Sequence, residues 1–81
     1  NWRQECCKCE GSARPQALYE SFARWKRLRG ETPPSMTRFS ARLVLMEGIE
    51  KRRSNGAIFD GIALTAAERH ALAEAQLVVR P

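Results

Sequence analysis

The chain has 81 residues, 43% of them hydrophobic and 28% charged, and its formal net charge is +5. This length leaves no room for a second domain of ordinary size, and the composition is that of a folded domain, not of a disordered tail. The sequence has no apolar run long enough to span a bilayer and no signal-peptide pattern, so we expect a cytoplasmic protein. Since it begins with Asn1 and not with methionine, we also expect a piece of a longer protein.

The first part of the chain predicts two helices. A short helix is expected over 2–9. The second is expected over 15–29, because Leu18, Phe22 and Trp25 recur at the spacing of one helical face. A proline in its first turn and a glycine after its last residue agree with these ends.

A third helix is expected over 36–47, after a connector with two prolines that cannot continue the second. Ser35 is its predicted N-cap and Gly48 its stop. Its buried residues are predicted to be Met36, Phe39, Leu43 and Met46, while Leu45 lies on the opposite, exposed face.

A β-hairpin is expected over 49–64. Asn55 and Gly56 tolerate the positive φ angles of a type I′ turn, which predicts a two-residue loop at the tip. The expected cross-strand pairs are Arg53 with Ile58, Arg52 with Phe59, Lys51 with Asp60 and Ile49 with Ile62. In this register Lys51 pairs with an acid and Arg52 can stack on an aromatic ring.

A last helix is expected over 66–77. Thr65 and Glu68 form a capping-box pattern at its start, with the hydroxyl and the carboxylate three residues apart.

Positive charge is concentrated in the middle of the chain. From Arg24 to Arg53, nine basic side chains stand against three acidic ones, an excess of six. A surface this basic attracts polyanions such as nucleic acid. Solvated helix faces are the other interpretation, and we prefer it for Arg24, Lys26, Arg27 and Arg29.

Three helices followed by a hairpin with a basic tip is the element order of a winged helix-turn-helix. The predicted fold class is therefore mainly α with a small β-hairpin, as one domain over 1–81. In such a domain one helix enters the major groove of DNA, and the hairpin, or wing, contacts the backbone or the minor groove. The candidate DNA-binding residues are Thr37, Arg38, Arg42, Lys51, Arg52, Arg53 and Asn55.

Four segments also resemble a known family: Leu18–Trp25, Met36–Leu43, Glu50–Gly56 and Gly61–Leu64. They are similar to the C-terminal winged-helix domain of phage and plasmid primase–helicases, the group related to the poxvirus primase/nucleoside triphosphatase. Asp60 departs from that pattern, where a neutral or basic residue is expected.

The resemblance implies a DNA-binding appendage to an AAA+-like helicase and primase that replicates a mobile element. It implies that Arg38 and Arg42 belong to the recognition helix, and Arg52 and Arg53 to the wing. The implied partners are DNA and other domains or subunits of a replication helicase.

The sequence offers no catalytic constellation, so we expect no enzyme activity from these residues, no cofactor and no small-molecule substrate. His70 is the single histidine. Cys6, Cys7 and Cys9 are spaced too tightly for a four-ligand zinc site, and we expect buried or free thiols instead.

Two other functions remain open. One is a protein-interaction module that docks on a replication partner through Leu45 and through Leu72 and Leu77 of the last helix. The other is a small repressor that dimerises through residues 65–79.

Overall fold

The computed structural model describes the backbone of residues 2–79 and the side chains of residues 2–74. Within these residues it shows a small α+β domain with four helices and two small antiparallel sheets. The helices are α1 (Trp2–Cys6), α2 (Pro15–Leu28), α3 (Met36–Val44) and α4 (Ala66–Val79). The strands are β1 (Cys7–Lys8), β2 (Ser12–Ala13), β3 (Glu50–Arg53), β4 (Ala57–Asp60) and β5 (Ala63–Leu64). None of the described helices is long and apolar enough to cross a membrane.

The first helix is shorter than predicted, because the chain becomes extended at Cys7. There β1 pairs antiparallel with β5, and Cys7 lies opposite Leu64. Both side chains are buried. The prediction of a helix over 2–9 is therefore wrong beyond Cys6: burial against a distant strand outweighs the local helical pattern.

The predicted hairpin is part of a three-stranded sheet in the order β2-β4-β3. Strand β2, which precedes α2, covers the outer edge of β4, with Ala13 opposite Phe59. The fold therefore contains more sheet than the expected mainly α domain with one hairpin. The connection between β1 and β2 passes Gly11, whose carbonyl accepts a 2.9 Å hydrogen bond from the Gly61 N–H.

The hairpin register differs by one residue from the predicted one. Its loop has three residues, 54–56, and the observed pairs are Arg53 with Ala57, Arg52 with Ile58, Lys51 with Phe59 and Glu50 with Asp60. Burial explains the choice, because residues two apart along a strand face the same side. The observed register puts Ile49 and Phe59, 6% and 0% exposed, on one face toward the core, whereas the predicted register would have put them on opposite faces.

Aromatic rings join the first three helices. Trp2 packs edge-on against Phe22 and Phe39, with ring centroids 5.3 and 5.7 Å apart, and Tyr19 also packs edge-on against Phe39. Leu18 and Leu43 are fully buried beneath these rings.

Helix α3 is three residues shorter than predicted, but its cap is as expected: the Ser35 side chain accepts a hydrogen bond from the Arg38 N–H. Phe39 and Leu43 are buried as predicted. Met36 is not, since it is 36% exposed in the first turn. Met46 follows the end of the helix and still packs against the core.

Only one of the two hydrogen bonds of the predicted capping box forms at the start of α4. The Thr65 hydroxyl accepts a 3.1 Å hydrogen bond from the Glu68 N–H. The Thr65 N–H, however, donates to the carbonyl of Cys6. The Glu68 carboxylate instead accepts a 2.5 Å hydrogen bond from the buried hydroxyl of Ser21 on α2. Glu68 therefore binds Ser21 of another helix and not the N–H of Thr65.

Candidate nucleic-acid interface

Helix α3 presents three of the candidate residues to solvent. Thr37, Arg38 and Arg42 are exposed, while Phe39 and Leu43 on the other side of the helix are buried. The two arginines are one helical turn apart, about 6 Å along the axis, so both can reach one anionic surface. Neither forms an ion pair with another described residue.

Lys51 and Arg53 lie on the face of the hairpin that carries Phe59. The register fixes this, since Lys51 is directly opposite Phe59 and Arg53 is two residues further along the strand. Phe59 is fully buried against the helices, but both basic side chains lie beyond the edge of the core and are exposed. They have no ion-pair partner among the described residues. Their charges are therefore available on the helical side of the sheet.

Arg52 is placed differently. Its Nε donates to Oδ2 of Asp60 at 2.8 Å, and its Nη2 donates to Oδ1 at 3.2 Å. The hydrogen bond from Arg52 lowers the pKa of the Asp60 carboxyl, and the same bond raises the pKa of Arg52. The predicted pairing of Lys51 with Asp60 and the predicted stacking of Arg52 on Phe59 are both wrong. The one-residue shift in register moves Arg52 to the face of Asp60 and away from the face of the ring.

Asn55 forms the exposed tip of the hairpin. It has a φ of 52° and Gly56 a φ of 104°, so both adopt the positive φ that their residue types predict. The Ser54 N–H donates to the Gly56 carbonyl at 2.9 Å, which closes the three-residue loop. Asn55 is thus a turn former, and its exposed side chain is available for a contact.

Arg14 is a residue that the sequence reasoning missed. It precedes α2, and its Nη1 donates to the carbonyls of Ser54 and Asn55 at 3.0 Å each and to that of Ala57 at 3.4 Å. One guanidinium group therefore holds the tip of the hairpin against the start of α2. The sequence does contain one signal. An N-cap side chain normally accepts a hydrogen bond from a backbone N–H of the first turn, and an arginine side chain cannot accept one.

The basic residues of α2 are largely engaged within the domain. Arg24 lies 3.8 Å from Glu68, and Lys26 and Arg29 lie 3.5 and 3.4 Å from Glu31. The guanidinium of Arg29 also stacks over a ring of Trp25 at 4.6 Å. The expectation that these residues form a solvated face and not a DNA-reading element stays a prediction.

An apolar groove of about 330 Å³ lies where α1, α2 and the end of α3 meet. Leu45 is 84% exposed at its margin, as the predicted helix face indicated. The groove is lined by Trp2, Phe22, Phe39, Arg42, Leu43, Leu45 and Met46. Leu72, which the sequence offered as a second contact residue, packs against the core instead. Leu77 lies outside the residues whose side chains are described.

The three cysteines are in different environments. Cys6 and Cys7 are buried free thiols, and Cys9 is exposed. Burial raises the pKa of the Cys6 thiol and raises that of the Cys7 thiol to about 12. Both buried thiols are therefore protonated at neutral pH. Groups of three or more potential metal ligands do not occur in the part of the chain that the structure describes.

Comparison with protein-family models, with curated proteins and with solved structures finds no match to this chain.

Proposed function

We propose that this domain binds DNA, with α3 as the helix that contacts the groove and the β3–β4 hairpin as a wing on the backbone. The observation that carries the proposal is the set of four basic residues Arg38, Arg42, Lys51 and Arg53. All four are exposed, and none has an ion-pair partner among the described residues. Uncompensated cations on a helix and on the hairpin that follows it in the chain favour a polyanion as the partner.

The connectivity supports a winged-helix interpretation. Strands β1 and β2 lie between α1 and α2, and α3 then leads to the hairpin. The hairpin pairs with β2 in the order β2-β4-β3. This arrangement attaches the wing to the helical core on the side of Phe59. Lys51 and Arg53 share that side, and the proposal requires a duplex that contacts α3 to pass along it.

The exposed side chains of α3 suit DNA chemically. An arginine can donate two hydrogen bonds to the O6 and N7 atoms of guanine, and such a contact contributes about 1–3 kcal/mol of discrimination. Thr37 lies in the first turn, where its hydroxyl and the free backbone N–H groups can donate to a phosphate. Arg38 and Arg42 are thus the candidates for base contacts, while the hairpin cations supply affinity that is independent of sequence.

We further propose, from the resemblance described above, that the domain is an appendage of a phage or plasmid primase–helicase. The proposal gives these residues a binding role and leaves primase and helicase chemistry to other domains of the parent protein. The reading frame upstream of Asn1 tests it: Walker motifs there would support it, and an immediate start codon would contradict it.

Fluorescence anisotropy with labelled duplex and forked DNA tests the binding itself. We expect affinity to fall steeply with added salt, because each neutralised phosphate releases about 0.9 counterion. Replacing Lys51 and Arg53 together by alanine should lower affinity for all sequences and reduce the slope of log K against log salt by about two.

The matched control replaces Arg27 and Arg29 by alanine. It removes the same charge from the C-terminal end of α2, where Arg29 is the C-cap, and we expect it to leave the slope nearly unchanged. A wild-type protein that binds neither DNA at low salt would overturn the proposed function.

The apolar groove favours a second candidate, a protein partner. Leu45 is 84% exposed beside buried aromatic rings, a position that a groove-reading helix does not require. Replacing Leu45 by glutamine, which leaves the charge unchanged, should weaken binding to such a partner and leave DNA affinity close to that of the wild type. Sedimentation separates a third option, because a repressor should be a dimer and an appendage a monomer.

A further inference from the structure

A second basic surface lies away from α3, in a groove of about 310 Å³. The groove is surrounded by β1 and β2, the start of α2, strand β5 and the first turns of α4. Its polar lining includes Lys8, Ser12, Arg14 and Arg69, and no acidic residue is part of the described lining. All the charged side chains of the described lining are therefore positive.

The three cations of this groove are not compensated by acids. Lys8, Arg14 and Arg69 form no ion pair with another described residue. Arg14 is also unfavourable for helix α2 itself, because it occupies the N-cap position, where cations are unfavourable and hydrogen-bond acceptors are preferred. The first turn of α2 contains no acidic residue to offset it.

Arg14 makes the groove continuous with the hairpin. Its guanidinium lines the groove and also donates to the carbonyls of Ser54 and Asn55 at the hairpin tip. It comes close to Gly56 as well, since a Cβ at that position would lie 3.5 Å from its Nη1. Hydrogen bonds to carbonyl groups leave the positive charge of the guanidinium in place. Basic residues therefore extend from the hairpin through Arg14 to Lys8 and Arg69.

We propose that this basic groove binds the phosphate backbone of the same DNA beyond its contact with the hairpin. The inference rests on the proposed function and extends it, since it assigns Lys8 and Arg69 as phosphate contacts outside α3 and the wing. Ser12 adds a hydroxyl donor at the wall of the groove. Arg14 has two roles, because it positions the hairpin tip and presents charge to the groove.

The test replaces Lys8 and Arg69 by alanine together. Both side chains are exposed, so the variant should fold, and circular dichroism verifies this. We expect the slope of log K against log salt for duplex DNA to fall by about two and the affinity near 0.1 M salt to fall by tens of fold, on the order expected for two lost phosphate contacts. Arg14 is left intact because its loss would also release the hairpin.

The matched control is again Arg27 and Arg29 replaced by alanine, which lowers net charge equally. These residues lie about 20 Å along α2 from the groove, given a rise of about 1.5 Å per residue. If the groove variant changes the salt slope and the affinity no more than the control does, the inference is wrong. The proposed function would still hold in that case if the Lys51 and Arg53 variant loses binding. A wild-type protein that binds no DNA would contradict both the inference and the proposed function.

A second arm separates backbone phosphate from free phosphate. Amide NMR spectra are recorded with a short duplex and, at constant ionic strength, with inorganic phosphate. Shifts at Ser12, Ala17 and Arg69 with the duplex alone support the inference. Shifts of equal size with inorganic phosphate would contradict it and indicate a site for a free anion.

Discussion

The guanidinium of Arg52 and the carboxylate of Asp60 form a two-point hydrogen-bonded ion pair across the hairpin, at 2.8 and 3.2 Å. The pair joins diagonal neighbours, because Arg52 lies opposite Ile58 and Asp60 lies opposite Glu50. It compensates two acids that would otherwise face each other. It also withdraws one of three consecutive cations from the surface, so the charge of the wing comes from Lys51 and Arg53.

Replacing Asp60 by asparagine should therefore strengthen DNA binding. The change releases Arg52 and should raise the slope of log K against log salt by about one. The matched control is Glu31→Gln, which adds the same charge at the end of α2 and should have a much smaller effect. Adding Arg52→Ala to Asp60→Asn should cancel the gain. Unchanged or weaker binding by Asp60→Asn would show that Arg52 does not reach DNA even when it is unpaired.

The same ion pair predicts a dependence of stability on acid. Because the folded pKa of Asp60 is lowered, its contribution is present above the unfolded pKa, about 4, and is lost as pH falls through the lower folded pKa. Urea denaturation between pH 2 and 6 should therefore show a smaller acid loss for Asp60→Asn than for the wild type. Equal acid losses would mean that the pair contributes nothing to folding.

Two glycines with similar φ allow the cost of backbone strain to be measured separately from the cost of close packing. Gly61 has a φ of +86° and Gly30 a φ of +75°, so alanine at either position costs about 1–2 kcal/mol of left-handed strain. A Cβ at Gly61 would also overlap the carbonyl oxygen of Gly48, whereas nothing lies within 4 Å of one at Gly30. Gly61→Ala should therefore destabilise the domain by about a further 1–3 kcal/mol in urea denaturation. Equal losses for both variants would contradict this packing.

Ser21 links the N-terminal helix to the last one. It accepts a 2.9 Å hydrogen bond from the Trp2 indole and donates to the Glu68 carboxylate, and all three side chains are buried. Ser21→Ala should reduce the free energy of unfolding by about 1–3 kcal/mol, because both partners lose a buried hydrogen bond. Ser40→Ala on α3 is the control and should be close to neutral. A neutral Ser21→Ala would show that the two partners find other hydrogen bonds.

The buried thiol of Cys7 predicts an alkaline limit to stability. Burial raises its folded pKa to about 12, so the unfolded state loses its proton first, near pH 8.5–9. Stability should be fully present below that pH and fall as pH rises toward 12. Cys7→Ala should remove part of this loss, while Cys9→Ser at the exposed position should not. Rapid alkylation of Cys7 in the folded protein at pH 8 would contradict the burial.

The sequence predicted the helices better than the sheets, for a physical reason. The apolar spacing of α2 and the Ser35 cap of α3 are local signals, and both elements are close to expectation. Strands β1, β2 and β5 have only two residues each and exist because distant segments pair, which no local pattern shows. Asn55 and Gly56 adopt the positive φ that the sequence predicts, but the loop has three residues and not two. The register follows from the burial of Ile49 and Phe59.

In the candidate site, too, local features were predictable from the sequence and long-range contacts were not. Its seven predicted residues are all exposed, as sequence patterning indicated for α3 and the hairpin. The pairing of Arg52 depended on the register and was mispredicted. Arg14 is locally notable only as an unusual N-cap, and its role could not be predicted because its carbonyl partners at the hairpin tip are some 40 residues away along the chain.

Amide NMR with unlabelled duplex DNA tests the central claim most directly. We expect the largest shifts at Thr37, Arg38, Arg42, Lys51, Arg53 and Asn55, with small changes at the C-terminal end of α2. Shifts that are absent from α3 and the hairpin, or that cluster around Arg27 and Arg29 instead, would contradict it.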